Sequence, residues 1–600
     1  MPGLDEARRP WWLGLFYFVA KLAVNLVMAG AVGAAYLAPP VAGFDANSYH
    51  ILVLAIGTVA FIVFGPRLAI ERWLEHRSVP GREAWASVLA LMVALSSHDV
   101  TMPLAMEVFA DKIDIIALIL SFAMVSDGLG RSGYFHYAAY YIVEKCNGNT
   151  ARLSLYLFIL TSIFTFFTSN DIVILVLTPI IISVAAHARI TNLKLILLSQ
   201  FVAANTLSMG LLVGSPTNII LGEALHLNFF SYLTLMFVPA VLSFLISFAV
   251  VDFLNQRGRR SVSGSTSDRS WTFYDSYETP NISAYSTFTP DMRNWLTVFF
   301  AAVALVSLIT FAEQQPALRH SLRGGGLLWA AIPIAAAAAW LYVSKAAARR
   351  HGDKRPVPLF ELATMLRRLP YGILFFGMTF FIFARALADS ELFERTIVPY
   401  LQTALTSDLS LTGIIAAIVS GLSVNIFNDL PASALLAQIW CPMEQTAEYC
   451  AAHGMIAFDN GFQHTLATQG ILIGVNIGCY LTPIGALAGL IWFNTMAKAR
   501  RDILAEASQS DDPYVQQLAQ NARDMVVPGR LDLLRYGVIH FAVAVTLLGL
   551  LLPFLALIGD FLISPTRFGI DSKLTRALAG DITMIPTWGL WWIGAATSAG

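Results

Sequence analysis

The sequence predicts an all-α polytopic membrane protein with an internal duplication. Three features support this fold class: few charged residues, recurrent apolar segments, and an Asn-Asp pair that occurs twice inside apolar runs. Of the 600 residues, 56% are hydrophobic and 13% are charged, whereas soluble domains carry about 25% charged residues. We therefore expect most of the surface to face lipid. The net charge of −1 argues against a nucleic-acid partner, which would require a basic face.

Apolar segments of about 20 residues, the length that spans a bilayer, recur along the chain. The clear ones lie near residues 11–38, 49–66, 293–313, 326–344 and 533–558. The first follows Arg8 and Arg9 and has no convincing cleavage site, so we expect a retained helix rather than a signal peptide. The arginine and lysine residues that flank the segments predict a multi-pass protein of the cytoplasmic (inner) membrane with a cytoplasmic N-terminus.

Two longer regions, residues 84–254 and 370–498, are almost continuously apolar and are interrupted by short polar clusters rather than by loops. Non-helical backbone at membrane depth is tolerated only where it lines a cavity or is buried in protein. The pieces Leu153–Phe167 and Ile172–Ala185 are short for complete spans. We therefore expect re-entrant hairpins or broken helices in both regions.

The two regions also resemble each other. The segments ILSFAM and ILFFGM start at residues 119 and 373, which are 254 residues apart (373 − 119). The segments SNDIVILVLTP and FNDLPASALL place Asn170 opposite Asn428, and LLVGSPTNII and ILIGVNIG place Gly214 opposite Gly474. Three matches in the same order and at nearly one offset predict a duplicated chain.

The duplication and the apolar segments divide the chain into six parts. These are extra N-terminal transmembrane helices (1–83), a first transport repeat (84–254), a polar Ser/Thr-rich linker (255–292), connecting transmembrane helices (293–369), a second transport repeat (370–565) and a C-terminal tail (566–600).

The repeated Asn-Asp pair has a physical reason to stand in an apolar run. Duplicated membrane proteins with broken helices hold their substrate near the bilayer midplane, where the repeats meet. The N-terminus of a half-helix carries partial positive charge and free N–H groups, and asparagine and aspartate oxygens can coordinate a cation. We therefore expect Asn170-Asp171 and Asn428-Asp429 to cap half-helices and to line a cavity.

Four segments carry a family resemblance: ANTLSMGLLVGSPTNIILGEAL, SNDIVILVLTPII, NDLPASALL and GVNIGCYLTPIGALAGLIWF. They resemble the signature segments of the ion transporter superfamily. The nearest branch is the arsenite-efflux (ArsB) type, which is related to citrate carriers, NhaD-type sodium/proton antiporters and divalent anion/sodium symporters. The resemblance covers roughly residues 110–255 and 370–560. It implies two inverted-topology repeats, each with a re-entrant hairpin and a broken helix, elevator-type transport, and a homodimer.

The resemblance places a substrate- or ion-binding site at two hairpin tips and two helix breaks. The residues it implies are Ser169, Asn170 and Asp171 at the first tip, Gly214, Ser215, Thr217 and Asn218 at the first break, Asn428 and Asp429 at the second tip, and Asn476, Gly478 and Thr482 at the second break. A Na⁺ ion at the Asn170 and Asn428 tips is one candidate occupant. Asp429 stands where arsenite pumps tend to carry asparagine, and Cys479 where they tend to carry proline, so the substrate stays open.

We expect a secondary active transporter that moves a small anion or arsenite, coupled to H⁺ or Na⁺ through Asp171 and Asp429, with no cofactor. The chain has no G-x-x-x-x-G-K-[ST] motif, so we expect no ATP site. One alternative is a Na⁺/H⁺ antiporter without an anion substrate. Alternatives from other classes are a channel and a membrane-embedded enzyme that uses His98-Asp99, although no nucleophile motif accompanies this pair.

Several of these residues also have a simpler structural interpretation. Asp171 and Asp429 could be helix caps, although an intramembrane carboxylate is a functional hypothesis by default. Asn218 and Asn476 could either bind a ligand or satisfy the backbone of a broken helix. Cys479 could bind a soft metalloid through its thiolate, but a buried cysteine is more often a small apolar residue.

The remaining candidates are expected to be structural. Arg131 and Arg385 occupy matching positions in the two repeats, each four residues from an aspartate (Asp127 and Asp389). We expect them to pair at helix ends, and we retain Arg385 as an outside candidate for an anion site. The four cysteines show no spacing typical of a metal site or a disulfide framework.

Overall fold

The computed structural model describes residues 11–41, 44–65, 82–112, 128–129, 132–167, 170–227, 229–262, 288–313, 371–443, 445–482, 485–508 and 512–563. This part of the chain is built from helices. Its extended pairings are two isolated bridges, Asn192–Val526 and Trp440–Ile456. The predicted all-α fold class is confirmed.

In the described residues of the first half of the chain, we label ten helices in order. They are α1 (Trp11–Leu37), α2 (Ala46–Phe64), α3 (Arg82–Ser96), α4 (Tyr134–Lys145), α5 (Thr150–Phe167), α6 (Asn170–His187), α7 (Lys194–Thr206), α8 (Pro216–Ala224), α9 (Phe229–Val262) and α10 (Pro290–Glu313). Two 3₁₀ turns, Leu207–Gly210 and Leu212–Gly214, separate α7 from α8.

The second half continues with nine labelled helices in the described residues. They are α11 (Tyr371–Ala388), α12 (Val398–Thr406), α13 (Thr412–Phe427), α14 (Asp429–Ile439), α15 (Ala447–Ala452), α16 (Gly461–Gly478), α17 (Leu487–Ser508), α18 (Pro513–Asp524) and α19 (Arg530–Ile563). A π-helical turn, Phe393–Ile397, precedes α12.

Four stretches of the described residues are long and apolar enough to cross a membrane. They are Val19–Leu37, Thr150–Phe167, Phe229–Leu254 and Arg530–Phe554. The predicted segments 11–38, 49–66, 293–313 and 533–558 each coincide with a helix, and segment 326–344 lies outside the described residues. On either side of the predicted polar linker, α9 continues to Val262 and α10 begins at Pro290.

The first repeat contains a helical hairpin and a broken helix. The hairpin is formed by α5 and α6, and α5 packs along α7. The helix break follows Thr206 and ends at Ser215, whose backbone is extended (φ −152°, ψ 144°). Pro216 is the first residue of α8, where its missing N–H leaves no hydrogen bond unmade.

The second repeat has the same two parts. Its hairpin consists of α13 and α14, and its broken helix consists of α16 and α17, separated by residues 479–486. Gly470, Gly474 and Gly478 follow one another at four-residue spacing on α16, and this face packs against α13. Small residues at this spacing let two helix backbones approach closely.

The two regions predicted to be repeats contact each other through the second halves of their broken helices. Helix α8 of the first repeat packs against α14 of the second, and α17 of the second repeat packs against α6 of the first. Backbone hydrogen bonds join the same regions, from Met443 to Leu225 (3.3 Å) and from Val526 to Thr191 (2.7 Å). The elements predicted to form the site are therefore brought together by reciprocal packing.

The extra N-terminal helices pack onto the outside of this core. Helix α2 contacts α1, α3 and α11. Where α1 ends and α2 begins, Tyr36 stacks on His50, and both side chains bond the carboxylate of Asp99, with His50 Nδ1 2.9 Å from Oδ1. This cluster connects the N-terminal helices to the turn after α3.

Candidate functional site

The second hairpin tip has an unusual backbone conformation. Asn428 joins α13 to α14 with φ 79° and ψ 159°, in a region that residues other than glycine rarely adopt. Its side chain is 2% exposed. Asp429 is the first residue of α14 and is 4% exposed, and its Oδ1 accepts the N–H of Leu430 at 3.0 Å. The structure thus places an amide and a carboxylate, both buried, at the N-terminus of a half-helix.

The first hairpin tip places an amide at the corresponding position. Asn170 begins α6 and is buried, and its Nδ2 donates to Asn205 Oδ1 at 2.8 Å. Asn205 lies in the last turn of α7, and its own Nδ2 donates to Phe201 O at 2.9 Å. The tip is therefore tied to the first helix break. Asp171 lies in the first turn of α6, and Ser169 lies outside the described residues.

The first break is held together by Asn218. Its Nδ2 donates to Ser208 O (2.9 Å) and to Leu211 O (3.0 Å), two backbone carbonyls within the break. Ser215 and Thr217, both buried, bond each other through their hydroxyls at 2.8 Å. Gly214 ends the second 3₁₀ turn. All four residues predicted for this break lie at it.

The second break is held by a residue of the hairpin. Asn425, near the end of α13, donates to Gly478 O at 2.9 Å and accepts the Thr482 hydroxyl at 2.7 Å. A Cβ added to Gly485 would lie 2.7 Å from the same Asn425 oxygen. The backbone of the break thus closes around the Asn425 amide. Gly478 and Thr482, predicted for this break, lie on either side of it.

The two breaks meet directly. Asn476 in the last turn of α16 donates to Asn218 Oδ1 at 2.8 Å and to Leu472 O at 2.8 Å. Asn476 is 2% exposed and Asn218 is fully buried. With both its amide hydrogens and its oxygen in use, Asn218 bridges the repeats, which favours its structural interpretation.

The electrostatic environment of this site comes from helix ends and neutral polar groups. The N-termini of α6, α8 and α14 lie at the two tips and the first break, and each carries partial positive charge and free N–H groups. The predicted residues described at these tips and breaks are asparagine, serine, threonine and glycine, with the carboxylate of Asp429, and Asp171 follows Asn170 in the first turn of α6. In the described part of the chain, no three His, Cys, Asp or Glu side chains form a metal-type cluster.

Sequence reasoning missed Asn205, which completes the first tip. The signal was present, because Asn205 stands in the segment ANTLSMG that helped to carry the family resemblance. Asn205 occupies the last turn of α7 as Asn476 occupies the last turn of α16. Gly474, which the repeat offset placed opposite Gly214, lies inside α16 and not at a break.

The remaining candidate residues lie outside the site formed by the tips and breaks. Arg385 pairs with Asp389 at 3.0 Å, as predicted, and its side chain is 42% exposed, which removes it from the buried site. Asp99 pairs with His50 rather than with His98, so the pair proposed for an enzyme is not formed. Arg131 and Asp127 lie outside the described residues.

One pair of cysteines forms a disulfide that the sequence did not predict. Cys441 and Cys450 form a disulfide with Cα atoms 5.5 Å apart, although no disulfide was apparent from the sequence. Cys479 is a buried thiol that donates to Val475 O at 2.9 Å. This bond to its own helix is consistent with the structural interpretation of Cys479.

Comparison with known proteins agrees with this arrangement. A citrate transporter family model (CitMHS) matches residues 59–458. Two arsenical pump membrane proteins of Escherichia coli are 22% and 24% identical over 434 residues, covering 70% of this chain and 87% of theirs. An arsenical pump membrane protein of Yersinia enterocolitica is 22% identical over 402 residues, covering 64% of this chain and 79% of its own.

These matches confirm the resemblance to the ion transporter superfamily near its arsenite-efflux branch. They also establish a membrane protein that transports an ion or anion, which agrees with the apolar helices and with the polar groups buried between them. The chain belongs to the citrate transporter (CitMHS) family.

Proposed function

We propose that this protein is a secondary active transporter that moves a small anion, or arsenite, across the cytoplasmic membrane in exchange or together with H⁺ or Na⁺. The observation that carries the proposal is the second hairpin tip. Asn428 is held in a strained backbone conformation beside the buried carboxylate of Asp429. Strained residues and buried charges concentrate at ligand sites, because elsewhere they only destabilise the fold.

The substrate is proposed to bind between the tips and the breaks. Half-helix N-termini favour a negatively charged or oxygen-rich ligand there. Asn170, Ser215, Thr217 and Thr482 supply amide and hydroxyl groups of the kind that bind oxygen atoms. The names of the relatives, citrate transporter and arsenical pump membrane protein, fit such a ligand.

The coupling ion is proposed to act at the two carboxylates. Asp429 lies at a helix N-terminus, where the dipole stabilises its negative charge in the absence of substrate. A proton or Na⁺ neutralises this carboxylate and makes the site compatible with an anion. Asp171, one residue after Asn170 at the start of α6, is proposed to do the same in the first repeat.

Alternating access is proposed to follow from the repeat architecture. Two inverted-topology repeats would move the hairpins and broken helices as a unit against a scaffold, with the chain assembled as a homodimer. The reciprocal packing of α8 on α14 and of α17 on α6 supports a unit that moves as one body.

The test combines ligand binding with flux. Purified protein is screened by thermal unfolding against arsenite, phosphate, sulfate, citrate, succinate, Na⁺ and Li⁺, because a ligand at 100 times its Kd stabilises the fold by about 2.7 kcal/mol. The stabilising ligand is then followed into proteoliposomes under an imposed pH or Na⁺ gradient. We expect Asp171→Asn and Asp429→Asn each to reduce gradient-driven flux about tenfold or more.

The matched control is Asp389→Asn, which removes the carboxylate paired with Arg385 on the surface and should leave flux unchanged. If both site variants transport with wild-type rate and pH dependence, the coupling role of the carboxylates is wrong. The second candidate, a Na⁺/H⁺ antiporter, is favoured by the carboxylate at Asp429. It predicts Na⁺-driven proton movement with no anion added and no stabilisation by any anion.

A further inference from the structure

A second group of buried polar atoms lies directly behind the two helix breaks. Tyr480 follows the end of α16, Ser247 lies on α9 and His540 lies on α19, and each is at most 1% exposed. Within the described ranges, the Tyr480 hydroxyl, the Ser247 hydroxyl and His540 Nε2 have no partner at good hydrogen-bond geometry, and their polar neighbours are one another's residues and Thr206. Three such atoms in one place are unusual, because buried polar groups in proteins are almost always paired.

The three atoms converge on one another. Tyr480 faces both Thr206 and Ser247 with its hydroxyl, and its ring contacts the His540 ring edge-on at a centroid distance of 6.4 Å. His540 faces the backbone of Ser247. Helix α19 crosses the second break closely enough that a Cβ on Gly537 would overlap Tyr480 O. The cluster therefore contacts the ends of both broken helices.

One tautomer of His540 is fixed by its own helix. The Nδ1 atom lies 3.2 Å from Tyr536 O, a carbonyl that can only accept, so Nδ1 carries the hydrogen. In the neutral ring, Nε2 then carries a lone pair and can only accept a hydrogen bond, for which the described part of the structure shows no donor. After protonation, Nε2 carries a hydrogen and can donate to the Ser247 backbone carbonyl that it faces.

The groups around His540 are otherwise neutral. Helix α9 contributes Ser247, the second break contributes Tyr480, and α19 itself contributes Tyr536, whose hydroxyl lies 3.1 Å from Ser199 Oγ on α7. The nearest ion pair on α19 is Lys194–Asp532 at 3.0 Å, two turns earlier at the helix start. Among the described residues, no carboxylate contacts the ring, so a proton on His540 would be an uncompensated charge.

We propose that His540 is a second proton-binding site of transport, in addition to the carboxylates at the hairpin tips, with Tyr480 and Ser247 placed to hold a water molecule that delivers the proton. A proton from this water bonds to Nε2 in the state in which the cluster is hydrated. It returns to water when the breaks rearrange. Because Tyr480 belongs to the second break and faces Thr206 at the first, a charge on His540 acts on both breaks at once.

A purely structural histidine in this chain has different surroundings. His464 on α16 is equally buried, and its Nε2 lies 2.9 Å from Cys441 O, so that nitrogen is bonded to the backbone beside the disulfide. His464 therefore provides the matched control. His540→Gln and His464→Gln both replace a buried imidazole by an amide that cannot titrate.

The first measurement requires no substrate. Full-length protein with ¹⁵N-labelled histidine is reconstituted in lipid nanodiscs, and the His540 resonance is assigned by its loss in His540→Gln. We expect this resonance to change from neutral to protonated as the pH is lowered from about 8 to about 4, a range that extends below the usual histidine switch range because burial disfavours the charged ring. We also expect Tyr480→Phe and Ser247→Ala to move the transition. A resonance that stays neutral from about pH 4 to pH 9 would overturn the proposal.

The second measurement concerns coupling and rests on the proposed transport function. In proteoliposomes, His540→Gln should lose about tenfold or more of the flux driven by a pH gradient. It should retain substrate exchange at equal pH within about twofold, whereas His464→Gln should keep both. If His540→Gln responds to the pH gradient as wild type does, the coupling role fails. If wild type moves none of the tested solutes while His540 titrates, the transport proposal fails and the proton site stands.

Discussion

At the scale of single residues, the site depends on asparagine amides more than on carboxylates. Asn170 bonds Asn205, Asn425 closes the second break, and Asn218 and Asn476 join the repeats. An amide offers a donor and an acceptor without a net charge, so it can satisfy broken-helix backbone inside a membrane at low cost. Asn428 is the exception, because its backbone is strained.

Asn428→Gly separates the strain from the side chain. Glycine adopts φ 79° without the cost of about 1–3 kcal/mol that other residues pay there, whereas Asn428→Ala keeps the strain and loses the amide. We expect Asn428→Gly to unfold at a higher temperature than Asn428→Ala, and both to lose substrate-dependent stabilisation in thermal unfolding. Wild-type ligand stabilisation in Asn428→Gly would show that the amide does not contact the substrate.

At the scale of elements, the contact between α13 and α16 fixes the second hairpin against its broken helix. Gly474 packs so closely that an added Cβ would overlap Ser420 Oγ and Ala417 O, and Gly470 and Gly478 meet Gly413 and Gly421 in the same way. Since backbone atoms cannot yield to a new methyl group, the two helices would have to separate.

Gly474→Ala is therefore expected to destabilise the protein by about 1–3 kcal/mol, through the strain of overpacking. The measurement is thermal unfolding of the purified protein. Gly377→Ala on α11 is the control, because an added Cβ there has no atom within 4 Å, and replacing a mid-helix glycine by alanine stabilises by about 0.5–1 kcal/mol. Equal effects of the two substitutions would contradict the close contact.

The comparison between sequence and structure is also clearest at this scale. Hydrophobicity predicted the helices near 11–38, 49–66, 293–313 and 533–558, because a bilayer imposes their length and composition. The Asn-Asp pairs and the resemblance placed both tips and both breaks. What could not be predicted were the partners distant in sequence, Asn170 with Asn205 and His50 with Asp99, and the disulfide between Cys441 and Cys450 within one loop. These depend on how helices pack, which local sequence does not encode.

At the scale of the whole molecule, the turns and loops that connect the helices fall into two groups, one at each side of the helical bundle. One side contains the turn after α6, where Leu193 and Val526 pair, and the ion pair between Lys194 and Asp532. The other contains the loop after α14, which carries the Cys441–Cys450 disulfide and bonds back to α12 through Gln402 and Ala457. Structural disulfides persist in oxidising compartments. The first side is instead preceded by positive charge, because Lys498, Arg500 and Arg501 lie on α17 before the turn at residues 512–530.

We propose on these grounds that the disulfide loop faces outward and that the turns near residues 188–193 and 512–530 face the cytoplasm. The location of the N-terminus follows from this orientation. Asp45 at the start of α2 bonds the backbone of Leu392 on the disulfide side, so the connection from α1 to α2 lies on the outer side. Helix α1 then runs outward from the cytoplasm, as the positive-inside rule predicts from Arg8 and Arg9.

Single reporter cysteines at Glu448 and Gln517, both exposed, test this orientation in a chain in which the free thiols Cys146 and Cys479 are replaced by alanine. We expect Glu448→Cys to react with a membrane-impermeant maleimide on intact cells. Gln517→Cys, and an epitope placed at the N-terminus, should become accessible only after the membrane is permeabilised. The reverse pattern would place the disulfide in a reducing compartment, where it would not persist, and would invert the direction in which the two helix breaks open.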